Sequence, residues 1–352
     1  MIKRHNIGII GFGGMGKYHH ACFSDYGRAV VAGIYDIDED VRKDAESKGI
    51  KVYSSQLDML DDPEIDCVIL AVPNNFHKVI SIESLRKGKN VLCEKPVTIN
   101  SRDLLEIMGT AKETGKVFTI DQNRRTNKDF VLVKDSISKG LLGDPYFIES
   151  RVCGSRGIPG GWRCVKELGG GMMLDWGVHL IDQMMYMIPE RVVDVYCRMT
   201  DKKYGCDDNF KLLINFSSGI NAHIEVGTNN FIQLPRWYVC GTEGTLQIDD
   251  WDCNGKIIRA KDSNVEWEEE IVYTKAGPTK TMAPRSISAT EEIILSEPDA
   301  IDSVHIVYDQ FLDCVEGRGP LTITPEQALR VLKVMEAAFE SNRIMCSVKV
   351  EI

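Results

Sequence analysis

No stretch of this chain approaches the roughly 18 uninterrupted apolar residues that a membrane-crossing helix needs, so nothing in it reads as a span. None of its 11 cysteines stands in a CxxC pair. That spacing argues against a zinc site or a disulfide framework, and no metal is expected. An odd, scattered set fits free thiols in a reducing cytoplasm. Internal repeats and low-complexity linkers are missing too. Positive charge is in deficit, with 42 Lys and Arg against 52 Asp and Glu. The net charge of −10 argues against nucleic acid or an anionic membrane as the main partner. It leaves room for a small anionic ligand, which responds to the local field. Lys3 and Arg4 precede an apolar run at 7–10 that is too short for a secretory leader and reads as a first strand.

What is present is ordinary for a globular chain: 43% hydrophobic and 27% charged residues. At 352 residues, two domains are expected. The first 120 or so residues alternate short apolar runs with amphipathic ones. Runs 7–10, 29–35, 67–71, 91–93 and 117–120 read as buried parallel strands, and 38–47, 76–87 and 101–114 as helices between them. This alternation predicts an α/β doubly wound sheet over residues 1–122.

Gly11-Phe12-Gly13-Gly14-Met15-Gly16 follows the first strand directly, the context that gives a GxGxxG its meaning. Gly11 permits the tight turn, Gly13 lets backbone approach a pyrophosphate, and Gly16 allows close helix packing. The helix start that follows offers N–H groups to phosphate oxygens. Asp36, followed by Ile37, ends the second strand 20 residues beyond Gly16. A carboxylate there accepts hydrogen bonds from both adenosine ribose hydroxyls and repels a 2′-phosphate, so NAD is expected over NADP.

Two more strands run out into loops at the same sheet edge, where such a sheet binds its ligand. One loop is Val72-Pro73-Asn74, with His77 at the next helix start. Pro73 stiffens it, Asn74 is placed for the nicotinamide ribose, and His77 joins the cofactor side although its position favours a structural role. The other is Glu94-Lys95-Pro96. Lys95 beside nicotinamide would stabilise alkoxide character on the reacting hydroxyl, and Pro96 permits a cis bond. His19 and His20, within the first helix, read as scaffold.

After residue 122 the pattern changes. A helix is expected near 128–139, and residues 210–216 and 220–226 alternate with period two, as half-buried antiparallel strands do. An α+β domain over 123–352 follows, with a large open, mostly antiparallel sheet. In the stretch Gly169-Gly170-Gly171-Met172-Met173-Leu174-Asp175-Trp176-Gly177-Val178-His179, Asp175 and His179 share one helical face, and Asp182 continues it. His179 suits proton abstraction near neutral pH, with Asp175 orienting its ring or contacting substrate hydroxyls. Arg163 is assigned to the cofactor's carboxamide side or to substrate oxygens, Trp162 to the face of a sugar ring, and Lys166 to the same cleft. Segment 229–237, with Asn230, Gln233 and Arg236, reads as a substrate-side loop, and 276–284 as a surface loop. Thr324-Pro325-Glu326-Gln327 matches a capping box before a helix to about 342 and a closing strand at 348–352.

These residues together resemble the Gfo/Idh/MocA oxidoreductase family over essentially the whole chain. The matching pieces are the 11–16 fingerprint, Pro73-Asn74 with His77, Glu94-Lys95-Pro96, Asn123-Arg124-Arg125, the 169–182 stretch and Gly241-Thr242-Glu243-Gly244-Thr245. The resemblance implies a Rossmann domain and an open-sheet domain, assembled as a homodimer or homotetramer through that sheet. It implies NAD(P)-dependent oxidation of a secondary alcohol on a sugar, glycoside or cyclitol, with Lys95, Asp175 and His179 catalytic. Arg125, Trp162 and Asp182 join them on the substrate side. Two other readings stay open: a redox-neutral glycoside-processing or epimerising enzyme that retains NAD and passes through a 3-keto sugar, and a non-catalytic NAD-binding regulator.

Overall fold

The computed structural model describes residues 4–262, 271–279, 287–299 and 303–352. Five apolar runs form a parallel sheet of β1 (His5–Ile10), β2 (Ala29–Tyr35), β3 (Cys67–Leu70), β4 (Asn90–Cys93) and β5 (Phe118–Ile120), ordered β2-β1-β3-β4-β5. Buried on both faces, these strands read as continuous apolar runs. Helices α1 (Gly14–Cys22), α2 (Glu39–Ser47), α3 (Gln56–Asp61), α4 (His77–Arg86) and α5 (Ser101–Thr114) connect them. Local chemistry sets their ends. The Asn100 side chain caps α5 by accepting from Asp103 N, and Gly115 closes it at φ 64°. A lone parallel bridge, Ile34 to Val52, lies outside β2. Counted as a one-residue strand, it restores the six-strand dinucleotide-binding order, whose switch point falls between β1 and β3.

Helix α6 (Lys128–Ser138) leads into a second, nine-stranded sheet. Its members are β6 (Pro145–Cys153), β7 (Val192–Thr200), β8 (Asn209–Phe216), β9 (Asn221–Gly227), β10 (Trp237–Gly241), β11 (Gly244–Ile248), β12 (Gly255–Ala260), β15 (Thr290–Ile294) and β16 (Val348–Lys349). A separate hairpin joins β13 (Val272–Thr274) to β14 (Gly277–Thr279). Every pairing in the large sheet is antiparallel except β6 with β9. Alternation along β8 puts Phe210, Leu212, Ile214 and Phe216 in the core, under α7 (Val178–Met187) and α9 (Pro325–Ile344). The expected capping box starts α9, and the 241–245 segment turns β10 into β11. Residues 280–284 of the expected surface loop lie outside the described residues.

Chain order and packing part company near the C-terminus. Helix α8 (His305–Val315) returns to the first domain, where Tyr308 stacks on Phe23 at 4.4 Å and Arg28 pairs with Asp309, Asp313 and Glu316. Glu336 of α9 accepts from Ser101 N at 2.7 Å. Among the described residues no helix is long and apolar enough to cross a membrane.

Candidate active site

The carboxyl ends of β1, β3 and β4 open onto a cavity of about 1100 Å³, above the roughly 300–1,000 Å³ typical of a single small ligand. One end is built by the fingerprint. Gly11 has φ 89°, and a Cβ there would run into the Ala71 carbonyl; one on Gly16 would run into the Gly11 carbonyl. Gly13 and Gly14 differ: a Cβ on either meets no protein atom within 4 Å, and both line the cavity. The room a side chain would take there is the room a ligand needs. Helix α1 begins at Gly14 with no side-chain cap and no acidic residue in its first turn, so its end suits an anion. Asp36 lies on the rim, its Oδ2 accepting from Phe12 N at 2.6 Å and its Oδ1 from Asp38 N at 2.9 Å. Those two bonds fix the carboxylate at the cavity rim. Met15, Ile37, Val72, Pro73 and Asn74 also line this cavity. Asn74 donates to Gly169 O at 2.9 Å, tying the loop after β3 to the second domain.

At the other end, Lys95 Nζ lies 2.9 Å from both the main-chain oxygen and Oδ1 of Asp175, and Arg163 Nε lies 3.4 Å from the same Oδ1. The Lys95–Pro96 bond is cis. Burial alone would raise the Asp175 pKa; Lys95 and then Arg163 outweigh it and hold the carboxyl below its usual range. His179 is 5% exposed, and its Nδ1 has no hydrogen-bond partner among the described residues. Burial first, then the Lys95 and Arg124 cations, push its pKa well below the ordinary value, so the ring is neutral at pH 7. Asp175 gives its carboxylate to Lys95 and Arg163 rather than to the His179 ring.

The helix carrying these groups is not a plain α-helix. Residues Met173–Gly177 form a π turn before α7 begins. Asp207 braces its start, taking Met172 N on its carbonyl at 2.8 Å and Met173 N on Oδ2 at 2.6 Å. Gly171, at φ 109°, leaves that carboxylate its space. The wider turn presents Asp175, Trp176 and His179 together to the cavity.

Behind Lys95 is a buried acid–base cluster. Glu94 Oε1 lies 2.9 Å from His19 Nε2, whose other ring nitrogen meets Tyr308 Oη at 2.5 Å. Asp121 stands 3.8 Å from His19. Burial and then the Glu94 charge push Asp121 up to about 7. Among the described residues these three alone bring ligand atoms close enough for a metal ion, within 4.8 Å of one another. Glu94 is hydrogen-bonded to His19 and Asp121 adds its charge at longer range, so His19 is scaffold beneath the site.

Several expected site residues sit elsewhere. Asp182 and Arg125 face each other as a buried pair at 2.6 and 2.7 Å, with Gln327 Oε1 2.8 Å from Arg125; neither lines the cavity. Asp182 thus faces the 124–125 segment rather than the cavity. Removing one member of a buried pair strands the other charge. Asp182→Ala is therefore expected to cost ~3–5 kcal/mol and lower the thermal midpoint by roughly 10 °C, read by calorimetry. His77 spans Pro96 O at 2.9 Å and Val72 O at 3.0 Å, linking two cavity loops, and does not itself line the cavity. Phe12 is buried and serves the site through its N–H; Gly16 lies behind it. Lys166 is exposed and off the cavity. In segment 229–237, Arg236 is locked to Ser150 at 2.6 Å and to Asp129 at 3.2 Å, while Asn230 and Gln233 do not line the cavity. Conversely, Tyr35, Gln56, Phe76, Asn123, Arg124 and Trp176 line it, although their sequence context assigned them no role at the site.

This fold and cavity define an NAD(P)-binding Rossmann oxidoreductase. The Gfo/Idh/MocA oxidoreductase family, with its NAD-binding Rossmann fold, matches residues 5–122, and the Gfo/Idh/MocA C-terminal domain matches residues 130–247; the chain belongs to this family. A solved NAD-binding protein from Listeria innocua is 42% identical, with TM-score 0.93 over 99% of this chain and 100% of that one. The scyllo-inositol 2-dehydrogenase (NADP(+)) of Bacillus subtilis is 24% identical over 350 residues, 96% of this chain and 93% of that protein. Myo-inositol 2-dehydrogenase of Thermotoga maritima is 27% identical over 221 residues, 60% of this chain and 65% of that protein.

Proposed function

We propose that this chain is an NAD-dependent dehydrogenase that oxidises a secondary hydroxyl of a sugar, glycoside or cyclitol. The observation that carries this reading is that Lys95, Asp175 and His179 surround one end of the cavity whose other end holds the glycine fingerprint and Asp36. When bound, the nicotinamide supplies a hydride acceptor for the carbinol carbon. Lys95 donates to the substrate oxygen and stabilises its developing negative charge. Neutral His179 takes the hydroxyl proton, leaving a carbonyl once the hydride has gone. Asp175 holds Lys95 in place and offers its carboxylate to a neighbouring hydroxyl. Trp162 and Trp176 add flat faces suited to a sugar ring. The inositol dehydrogenases among its relatives support a polyol substrate.

Asp36 supports NAD as the preferred cofactor, although the Bacillus relative is named for NADP(+). Calorimetric titration is expected to give NAD a Kd at least ~10-fold below that of NADP, since a 2′-phosphate would face a fixed carboxylate. Equal or inverted affinities would overturn that role for Asp36. The activity itself is tested by NADH absorbance across inositols, hexoses and aryl glucosides. Glycoside turnover with copurifying cofactor and no net NADH would replace this reading with redox-neutral chemistry, and bound NAD with no turnover would replace it with a regulator.

The face of the nine-stranded sheet opposite α7 and α9 carries Tyr196, Leu213, His223, Glu149 and Tyr238 in register across neighbouring strands. We read it as the contact with a second copy; light scattering that gives a monomer at micromolar concentration would remove it.

A further inference from the structure

Resting on that dehydrogenase reading, we propose that the substrate carries an anionic group, a carboxylate or a phosphate ester, gripped by Arg124 with Arg163 beside the hydroxyl that is oxidised.

Arg124 is placed by what its neighbour does. Arg125 is locked by Asp182 and Gln327, and Gln183 of α7 donates to the Arg124 carbonyl at 2.8 Å. With the backbone pinned from one side, the Arg124 side chain lines the cavity on the other. Its guanidinium carbon lies 5.0 Å from the Trp176 ring and 5.9 Å from the Trp251 ring. No carboxylate among the described residues stands within ion-pair distance of it, and its hydrogen bond to Asn127 Oδ1 is long, at 3.4 Å. Arg163, stacked 4.8 Å from Trp162, has only a share of the Asp175 oxygen that Lys95 already holds.

The charges lining this end do not balance. Lys95, Arg124 and Arg163 face Asp175, while Glu94 is committed to His19 and Asp36 lies with the fingerprint. Three cations meet the single carboxylate of Asp175, which Lys95 and Arg163 already share. The effect already reaches His179, whose pKa Lys95 and Arg124 depress beyond what burial does. A cleft with low-dielectric walls focuses such a field on the ligand, whatever the net charge of the whole chain. A neutral polyol offers the Arg124 fork only single, uncharged hydroxyl acceptors, whereas a carboxylate or phosphate matches its parallel N–H groups and its charge. Trp176 sits between anchor and base, with His179 edge-on at 5.8 Å, so an anion on Arg124 lies about one indole from the proton acceptor.

The test compares matched ligands: glucose, glucuronate and glucose 6-phosphate, and galactose with galacturonate. Binding to the NADH-loaded protein is measured by calorimetry, and turnover with NAD by NADH formation. At least one anionic member is expected to bind roughly 10- to 100-fold tighter than its neutral counterpart, the range of a hydrogen bond to a charged group. The uronate and phosphate arms identify which anion it is. Arg124→Gln should cost that anion at least ~10-fold more than the neutral sugar, with Arg124→Lys intermediate; NADH affinity reports that each variant is folded. Neutral sugars binding as well as anionic ones, or equal losses for both in Arg124→Gln, would overturn the proposal and leave Arg124 a stacking element. Arg124-dependent anion binding without any NADH formation would keep the anion site and sink the dehydrogenase reading instead.

Discussion

His179→Ala is expected to lower kcat by roughly 10²–10⁴-fold, the loss that follows removal of a positioned general base. The same residue sets a pH signature. Burial, Lys95 and Arg124 hold its pKa well below the ordinary value, so the neutral, proton-accepting form persists to lower pH than in a free imidazole. The acid limb of kcat/KM should therefore lie below about pH 6.5. Folding stability carries the matching sign. The folded ring binds a proton more weakly than the unfolded one, so its contribution is present above about pH 6.5 and is lost as pH falls below that value. His179→Ala should flatten that acid-side loss in urea titrations. An acid limb near or above pH 7, or a variant within threefold of wild type, would mean that another group takes the proton.

Lys95→Ala should lower kcat by roughly 10²–10³-fold, as loss of one preorganised donor to a developing oxyanion does, measured by single-turnover NADH formation. The variant also strips Asp175 of the main charge that offsets its burial, so the carboxyl pKa should climb and rates should fall further on the acid side. Lys95→Arg is not expected to rescue. A compact ammonium reaches both the main-chain oxygen and Oδ1 of Asp175, and a longer planar fork does not fit that paired contact. Full activity in Lys95→Arg would show that only a positive charge is needed at this point.

Much of this architecture was legible before any packing was known. Strand ends at Gly11, Ala71 and Glu94 are marked by apolar runs breaking into glycine, proline or charge, because buried parallel strands leave little room for anything polar until they emerge. Half-buried strands such as β8 show their two faces through alternation. What misled was the assumption of an unbroken α-helix through residue 182. A π turn at Met173–Gly177 changes which residues face the cavity, and its cause, the Asp207 brace, lies more than 30 residues away in the chain. Arg124 and Arg125 are chemically identical neighbours. Only the position of α7 decides that one seats against Asp182 and the other lines the cavity.

Sequence alone determined the two-sheet class and the dinucleotide turn, and it singled out Lys95, Asp175 and His179 as candidates, since each depends on local periodicity, backbone freedom or side-chain chemistry. Tertiary structure alone decided that those three groups converge on one cavity, that Asp182, Arg125 and His77, each hydrogen-bonded within the protein, stay off its lining, and that no carboxylate among the described residues pairs with Arg124. Lys95 meets Asp175 across 80 residues of chain, and no local pattern carries the sum of a field contributed by several loops.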